Sequence, residues 1–252
     1  MEQAYSPSAQ DGRGLFITFE GGDGAGKSTH IRFLASVLRK RSYEVLSLRE
    51  PGGTRIGEKL RRVVLDPGNE ELSAESELLV FEAARAQLVS EVVKPALARG
   101  AVVLCDRFTD STVAYQAYGR GLSLDFVQSA NAFACQGLSP DRTVLLTAGG
   151  SSTSIKRATR RGADRMERSG QEFYERVACG FKEAAQRDPA RIRVVESAGK
   201  RSATARAVFE QLCDLFPWMS DDLKSNPALF ARLDRPPKRG HRGKRQNGAN
   251  RG

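Results

Sequence analysis

Short apolar runs alternate with amphipathic stretches along most of the chain. Leu15-Phe16-Ile17-Thr18-Phe19 is a β-branched and aromatic run of strand length. It ends in Glu20-Gly21-Gly22-Asp23-Gly24-Ala25-Gly26, too rich in glycine for a regular element. Helical spacing follows, with Ile31, Leu34, Ala35 and Leu38 on one face. Val45-Leu46-Ser47-Leu48 reads as a second strand, stopped by Pro51-Gly52-Gly53. A helix is expected over Ile56–Leu65, ended by Asp66-Pro67-Gly68. A longer one, capped by Ser73 and carrying Leu78, Phe81, Ala84, Arg85 and Leu88, is expected to break at Pro95.

Ala101–Cys105 makes a third strand, Thr143–Leu146 a fourth and Ile192–Val195 a fifth. Helices are predicted at Ser111–Tyr118, Ser123–Cys135, Gln171–Arg187 and Ala203–Leu215. Strands alternating with helices require crossover connections. The expected fold is therefore α/β, with three layers and a five-stranded parallel sheet covered by helices on both faces. Residues 1–13 read as a flexible lead-in, 14–218 as the domain, and 219–252 as a basic, disordered tail.

Charge changes this picture less than its total suggests. The 252 residues carry a net +10, but seven of the basic residues lie between Arg235 and Gly252, where there is no acid. Residues 1–234 balance to +3, so the basicity describes an appendage, for which nucleic-acid contact is one option. No run is long and apolar enough to cross a bilayer, and the polar start does not look like a secretory signal. Cys105, Cys135, Cys179 and Cys213 are scattered, which suits reduced thiols in a soluble cytoplasmic protein rather than disulfides or zinc. With only His30 and His241, histidine acid/base chemistry has almost no material.

The glycine-rich segment carries the chemistry. Gly21-x-x-x-x-Gly26-Lys27-Ser28 matches a phosphate-binding loop and lies between a strand and a helix, as that loop requires. Glycines let successive N–H groups converge on phosphate oxygens at a helix N-terminus. The loop residues Gly21, Gly22, Asp23, Gly24, Ala25, Gly26, Lys27, Ser28 and Thr29 should hold ATP. Lys27 is expected to reach the β- and γ-phosphates and Ser28 to ligate Mg²⁺. There is no Asn-Lys-x-Asp of a GTPase and no Leu-Ser-Gly-Gly-Gln of an ABC ATPase. Asp106-Arg107 follows the third strand and should emerge at its C-terminal end, where open α/β sheets bind ligands. Phe81 and Arg85 share one helix face.

Several segments together resemble the thymidylate kinase (dTMP kinase) family. They are Phe19–Thr29, Arg49-Glu50-Pro51-Gly52-Gly53-Thr54, Phe81-Glu82-Ala83-Ala84-Arg85, Asp106-Arg107-Phe108 with Ser111, Tyr115 and Gln116, and the basic run Lys156–Arg168. The resemblance implies a P-loop NTPase fold with a small lid at about 156–170, and phosphorylation of dTMP to dTDP with ATP and Mg²⁺. It implies that Arg107 grips the acceptor phosphate and that Asp106 holds the Mg²⁺ hydration shell. Asp23 would meet the sugar 3′-hydroxyl and Arg49 the acceptor phosphate. Phe81 would stack on the thymine and Arg85 would donate to a base carbonyl, with Thr112, Tyr115 and Gln116 completing the pocket.

A homodimer is also implied. Gly24 stands where one subgroup of the family has a loop arginine, so the transition-state cations are expected from the lid, with Arg160, Arg161 and Arg165 as candidates. The joint Thr147-Ala148-Gly149-Gly150 departs from the family's Leu-Asp-Val. Two rival functions stand beside this one: a kinase for another nucleoside or nucleoside monophosphate, and a weakened kinase-like protein that binds nucleic acid through its tail.

Overall fold

A computed structural model describes residues 13–147, 165–166, 169–197 and 199–234. Five strands form one sheet: β1 (Phe16–Glu20), β2 (Val45–Arg49), β3 (Val102–Asp106), β4 (Arg142–Thr147) and β5 (Ile192–Glu196). Their order is β2-β3-β1-β4-β5 and every pairing is parallel. Phe19 pairs with Asp106 on one side and Val144 on the other, so the ends of β1 and β3 open at the same edge of the sheet.

Period-2 alternation divides the strand residues between two layers. Ile17, Phe19, Leu104 and Leu146 pack with Leu34 and Leu38 of α1 (Lys27–Lys40) and Phe209 of a later helix. Phe16, Val103 and Cys105 face the opposite way, against Leu88, Val89 and Leu97. The expected architecture is present.

Two helices run differently from the sequence expectation. After α2 (Arg55–Leu65), α3 (Ala74–Leu88) does not stop before Pro95. It passes through a π-helical turn, Val89–Val93, into α4 (Lys94–Ala98), with Pro95 in the first turn of α4. The wider turn accommodates a residue with no N–H to donate. Likewise α5 (Thr109–Thr112) continues as a π-helical stretch, Val113–Gly119.

Beyond α6 (Leu124–Cys135), α7 (Gln171–Arg187) lies close against that stretch. A Cβ on Gly180 would come within 2.9 Å of the Ala114 backbone, so glycine permits the approach that seats Tyr115 against Phe173 and Phe181.

The C-terminal boundary needs correction. α8 spans Arg201–Glu210, shorter than expected, and residues 219–234 are not a tail. They form α9 (Met219–Ser225), α10 (Pro227–Ala231) and a 3₁₀ turn, and Met219 and Phe230 are buried in the core. Apolar residues within a short polar segment carried too little periodicity to reveal these helices.

Candidate active site

The loop between β1 and α1 has the backbone its glycines permit. Gly21, Gly24 and Gly26 all have positive φ, and a Cβ on Gly21 would come within 2.1 Å of the Leu146 carbonyl oxygen. The loop floors a cleft of about 660 Å³ that is also lined by Ser197, Gly199, Arg201 and Thr204. Ala25, Thr29 and the other residues from Asp23 to Thr29 line it. Gly21 and Gly22 contribute the carbonyls that accept from Lys27 Nζ, at 2.9 and 3.0 Å. Burial, reinforced by Arg107, pushes the Lys27 ammonium down to about 8. His30 also lines the cleft, and burial beside Arg201 pushes it down to about 4, so its imidazole is neutral at pH 7.

A second, smaller cavity of about 120 Å³ opens beside the first. Asp23, Glu50, Arg61 and Arg107 line both. At the junction Arg107 Nη2 donates to Asp23 Oδ1 at 2.6 Å and to the Tyr115 hydroxyl at 3.2 Å, while Nη1 donates to Ser111 Oγ at 3.1 Å. Burial opposes ionisation of Asp23, but Arg107 and Lys27 outweigh it and hold the carboxyl below its usual range. Arg107 has φ +71°, a left-handed conformation uncommon for a bulky residue.

Glu20, fully buried, holds the turn that contains Arg107. It accepts from Phe108 N at 2.7 Å, from Ser111 N at 3.3 Å and from the Ser111 hydroxyl. Burial, then the neighbouring Asp110, pushes Glu20 up to about 8.

The smaller cavity is walled by Phe81, Tyr115, Gln116 and Met166, with Arg85 beneath. Arg85 is 2 % exposed. Its Nε donates to Glu50 at 2.9 Å and its Nη2 is ion-paired with the same carboxylate, while Nη1 donates to Glu82 and Asn131 and Nη2 to the Thr112 hydroxyl at 2.9 Å. Four hydrogen bonds and the ion pair with Glu50 thereby surround the guanidinium. Burial pushes the Glu50 carboxyl up to about 7 against the opposing pull of Arg85, with Glu82 adding slightly to the rise. Gln116 donates to Glu77 at 2.8 Å.

On this geometry the chain compares closely with known proteins. The profile of the family described as thymidylate kinase matches residues 19–207. The chain belongs to the thymidylate kinase family.

A thymidylate kinase of Desulforudis audaxviator is 47 % identical over 200 residues, which is 79 % of this chain and 90 % of that one. One from Pseudomonas fluorescens is 51 % identical over 179 residues, covering 71 % and 85 %. A crystal structure of thymidylate kinase from Ehrlichia chaffeensis superposes with a TM-score of 0.66 at 32 % identity, covering 79 % of this chain and 98 % of that chain.

Within this thymidylate kinase family chain, the loop residues, Asp106, Arg107, Phe81, Arg85, Thr112, Tyr115 and Gln116 fall in or beside the two adjoining cavities. Two expected residues are placed otherwise. Arg165 does not face the phosphate loop. Its Nε donates to the Val64 carbonyl at 3.0 Å and its Nη2 pairs with Glu77, a wholly buried carboxylate that also draws Arg120. A buried carboxylate requires such partners, and Arg165 is committed to that duty. Arg49 is half exposed, pairs with Glu58 at 2.9 Å and lines only the larger cleft. Arg160, Arg161 and the Ala148–Gly150 part of the joint lie outside the described residues.

Sequence reasoning missed Glu20 as the anchor of the Arg107 turn, Arg61 at the junction, and Asn131 and Glu50 around Arg85. Glu20, Asn131 and Glu50 act through partners distant in sequence, and Arg61 lines the junction directly. Only Glu20, a lone acid ending an apolar strand, carried a visible signal.

Proposed function

We propose that this chain transfers the γ-phosphoryl group of ATP to the phosphate of dTMP, giving ADP and dTDP. The observation that carries the reading is the meeting of two cavities at Asp23 and Arg107. One is floored by a phosphate loop, and the other is a small pocket with an aromatic wall and buried polar groups. ATP would lie in the larger cleft with its phosphates on the loop N–H groups and Lys27. dTMP would enter the smaller one, its base against Phe81 and its sugar near Tyr115 and Asp23.

The acceptor phosphate would then reach Arg107, and one of its oxygens would attack the γ-phosphorus in line. That oxygen is anionic at neutral pH, so a neutral, buried His30 leaves nothing missing. Arg107 would neutralise charge as the two phosphates approach, and Arg160 and Arg161 are proposed to add positive charge from the lid. With Arg85 already surrounded by these partners, a thymine carbonyl would share the Thr112-directed donor. A phosphate in the cleft would also draw Lys27 from the loop carbonyls and restore its full charge.

The residues suit Mg²⁺. Ser28 Oγ donates to Asp106 Oδ2 at 2.7 Å, which sets a hydroxyl and a carboxylate side by side as hard oxygen donors. Among the described residues no group of three or more acidic, histidine or cysteine side chains forms a cage, as befits an ion completed by phosphate oxygens and water. When bound, Mg²⁺ supplies charge neutralisation on the donor phosphates, with Ser28 as ligand and Asp106 acting through water.

A homodimer is proposed from the large apolar side chains that α3 and α6 expose together, Leu79, Phe126 and Phe133, the last 87 % exposed. A cytoplasmic location is proposed from four unpaired cysteines. Among the described residues no helix is long and apolar enough to cross a membrane. The basic tail is proposed to begin at Arg235.

An ADP-release assay with dTMP, dUMP, dCMP, AMP and thymidine tests the reaction. The greatest stimulation is expected with dTMP. No rise over ATP alone would overturn the assignment.

A further inference from the structure

Residues 219–234 have no part in the reaction described above, and they lie beyond the family profile's match. They bridge two helices. Phe230 is buried between Phe209 of α8 and Phe33 of α1, with ring centroids 5.0 and 5.9 Å away. Arg206 of α8 lies over the Phe230 ring and donates to the Leu223 carbonyl at 2.9 Å, while Arg232 lies over Phe33. On the other side, Arg41 of the α1 C-cap pairs with Asp222 at 2.8 Å and covers Trp218.

Both bridged helices direct their first turns to the donor cleft. α1 brings Lys27, Ser28 and Thr29, and α8 brings Arg201 and Thr204. The start of α8 has no cap of its own, because Lys200 stands at the N-cap and makes no side-chain capping bond. Asp234 supplies one from the far end of the segment. Its carboxylate accepts from Ser202 N at 3.1 Å and from the Ser202 hydroxyl. These bonds, the hydroxyl's first, hold the Asp234 carboxyl below its usual range, as expected of an anion at a helix N-terminus.

We propose that residues 219–234 form a clasp fixing the α8 wall of the donor cleft, with Asp234 as a positioning residue that caps α8 and so sets Arg201 and Thr204 in that wall. The proposal rests on ATP occupying the larger cleft. The clasp acts on the donor alone, since Arg201 and Thr204, which it sets, line the larger cleft and not the acceptor pocket. It also acts without touching the nucleotide, by removing the fraying that an uncapped first turn allows.

The test compares initial rates of the full-length chain with ATP and dTMP varied separately. Asp234→Ala should raise KM for ATP about 3- to 5-fold, the scale of a lost N-cap, and leave KM for dTMP within about 1.5-fold. The double variant Lys200→Ser with Asp234→Ala gives the helix a cap from its own N-cap position and should return KM for ATP to within about 2-fold of the parent. An unchanged KM for ATP in Asp234→Ala, an equal rise for dTMP, or no recovery in the double variant would each overturn the clasp. Should the parent chain release no ADP in response to dTMP, the reaction itself is at fault. Calorimetric ATP binding by the same three proteins then decides the clasp by the same ratios.

Discussion

The donor cleft is floored by a loop shaped by its backbone, and the acceptor pocket rests on buried side-chain charge. In the first, glycines at positive φ shape a loop, and the buried Lys27 rests on backbone carbonyls. In the second, Arg85 is enclosed by Glu50, Glu82, Asn131 and Thr112, while Arg107 is held by Asp23, Ser111 and Tyr115. Binding and folding are thus separable on the donor side and entangled on the acceptor side. A buried ion network must be compensated for the chain to fold at all, whereas a lysine that folding has to desolvate serves chiefly the reaction.

The largest effect should come from the donor side and should spare the fold. Lys27→Ala is expected to lower kcat by at least 10²–10³-fold, the scale set by removing one preorganised charge from a developing phosphoryl transfer. Thermal unfolding should be unchanged or slightly raised, because burial already disfavours that ammonium. A variant that unfolded before it lost activity would break the contrast.

Arg85→Ala should behave in the opposite way. It leaves Glu50 and Glu82 buried without their cation, a loss of about 3–5 kcal/mol in denaturant unfolding, with KM for dTMP raised and KM for ATP little changed. Adding Glu50→Gln should recover part of the stability but not the dTMP affinity. If stability and affinity returned together, the network would be serving only the fold.

This same division decides how much could be read from the sequence. The five strands, their order of appearance and the phosphate loop follow from local features: apolar runs, glycine spacing and a lysine and serine at fixed offsets. The long-range partners do not. Nothing near Arg85 in sequence announces Asn131 or Thr112, and nothing near Arg165 announces Glu77. A basic run therefore looked uniformly catalytic, although its one described arginine answers a buried acid. The π-helical turns at Val89–Val93 and Val113–Gly119 were hidden for a related reason, since their register depends on what packs against them.

Glu20 joins the two sides, since it ends β1 and anchors the Arg107 turn. Its carboxyl is raised from 4.5 to about 8, by burial first and then by Asp110, with Arg107 acting against the rise. Between those pH values the folded chain binds more protons than the unfolded one. The stabilising contribution is complete below about pH 4.5 and is lost as pH rises through 8, with a slope of at most about 1.4 kcal/mol per pH unit. Glu20→Gln keeps a neutral group that still accepts from Phe108 N and Ser111 N. Its stability, followed by thermal unfolding from pH 5 to 9, should decline less steeply than the parent's. Parallel curves would show that Glu20 does not carry the dependence.

The smallest effect expected is at Arg49, and it tests where the boundary between the two sites lies. Its side chain is 51 % exposed and its partner Glu58 44 % exposed, so the pair contributes little to stability, about 0.5 kcal/mol or less. Glu58 also keeps the Gly53 N–H at 2.9 Å when the arginine is gone, which preserves the turn before α2. Arg61, by contrast, lines both cavities and is tied to the Pro51 carbonyl at 2.8 Å. Arg49→Ala should therefore raise KM for dTMP by less than about 3-fold, and Arg61→Ala by more. A tenfold rise for Arg49→Ala with little change for Arg61→Ala would move the acceptor phosphate to Arg49, where the family resemblance first put it. The donor cleft would then hold part of the acceptor site, and the contrast between a backbone-built and a side-chain-built half would no longer coincide with the division between the two substrates.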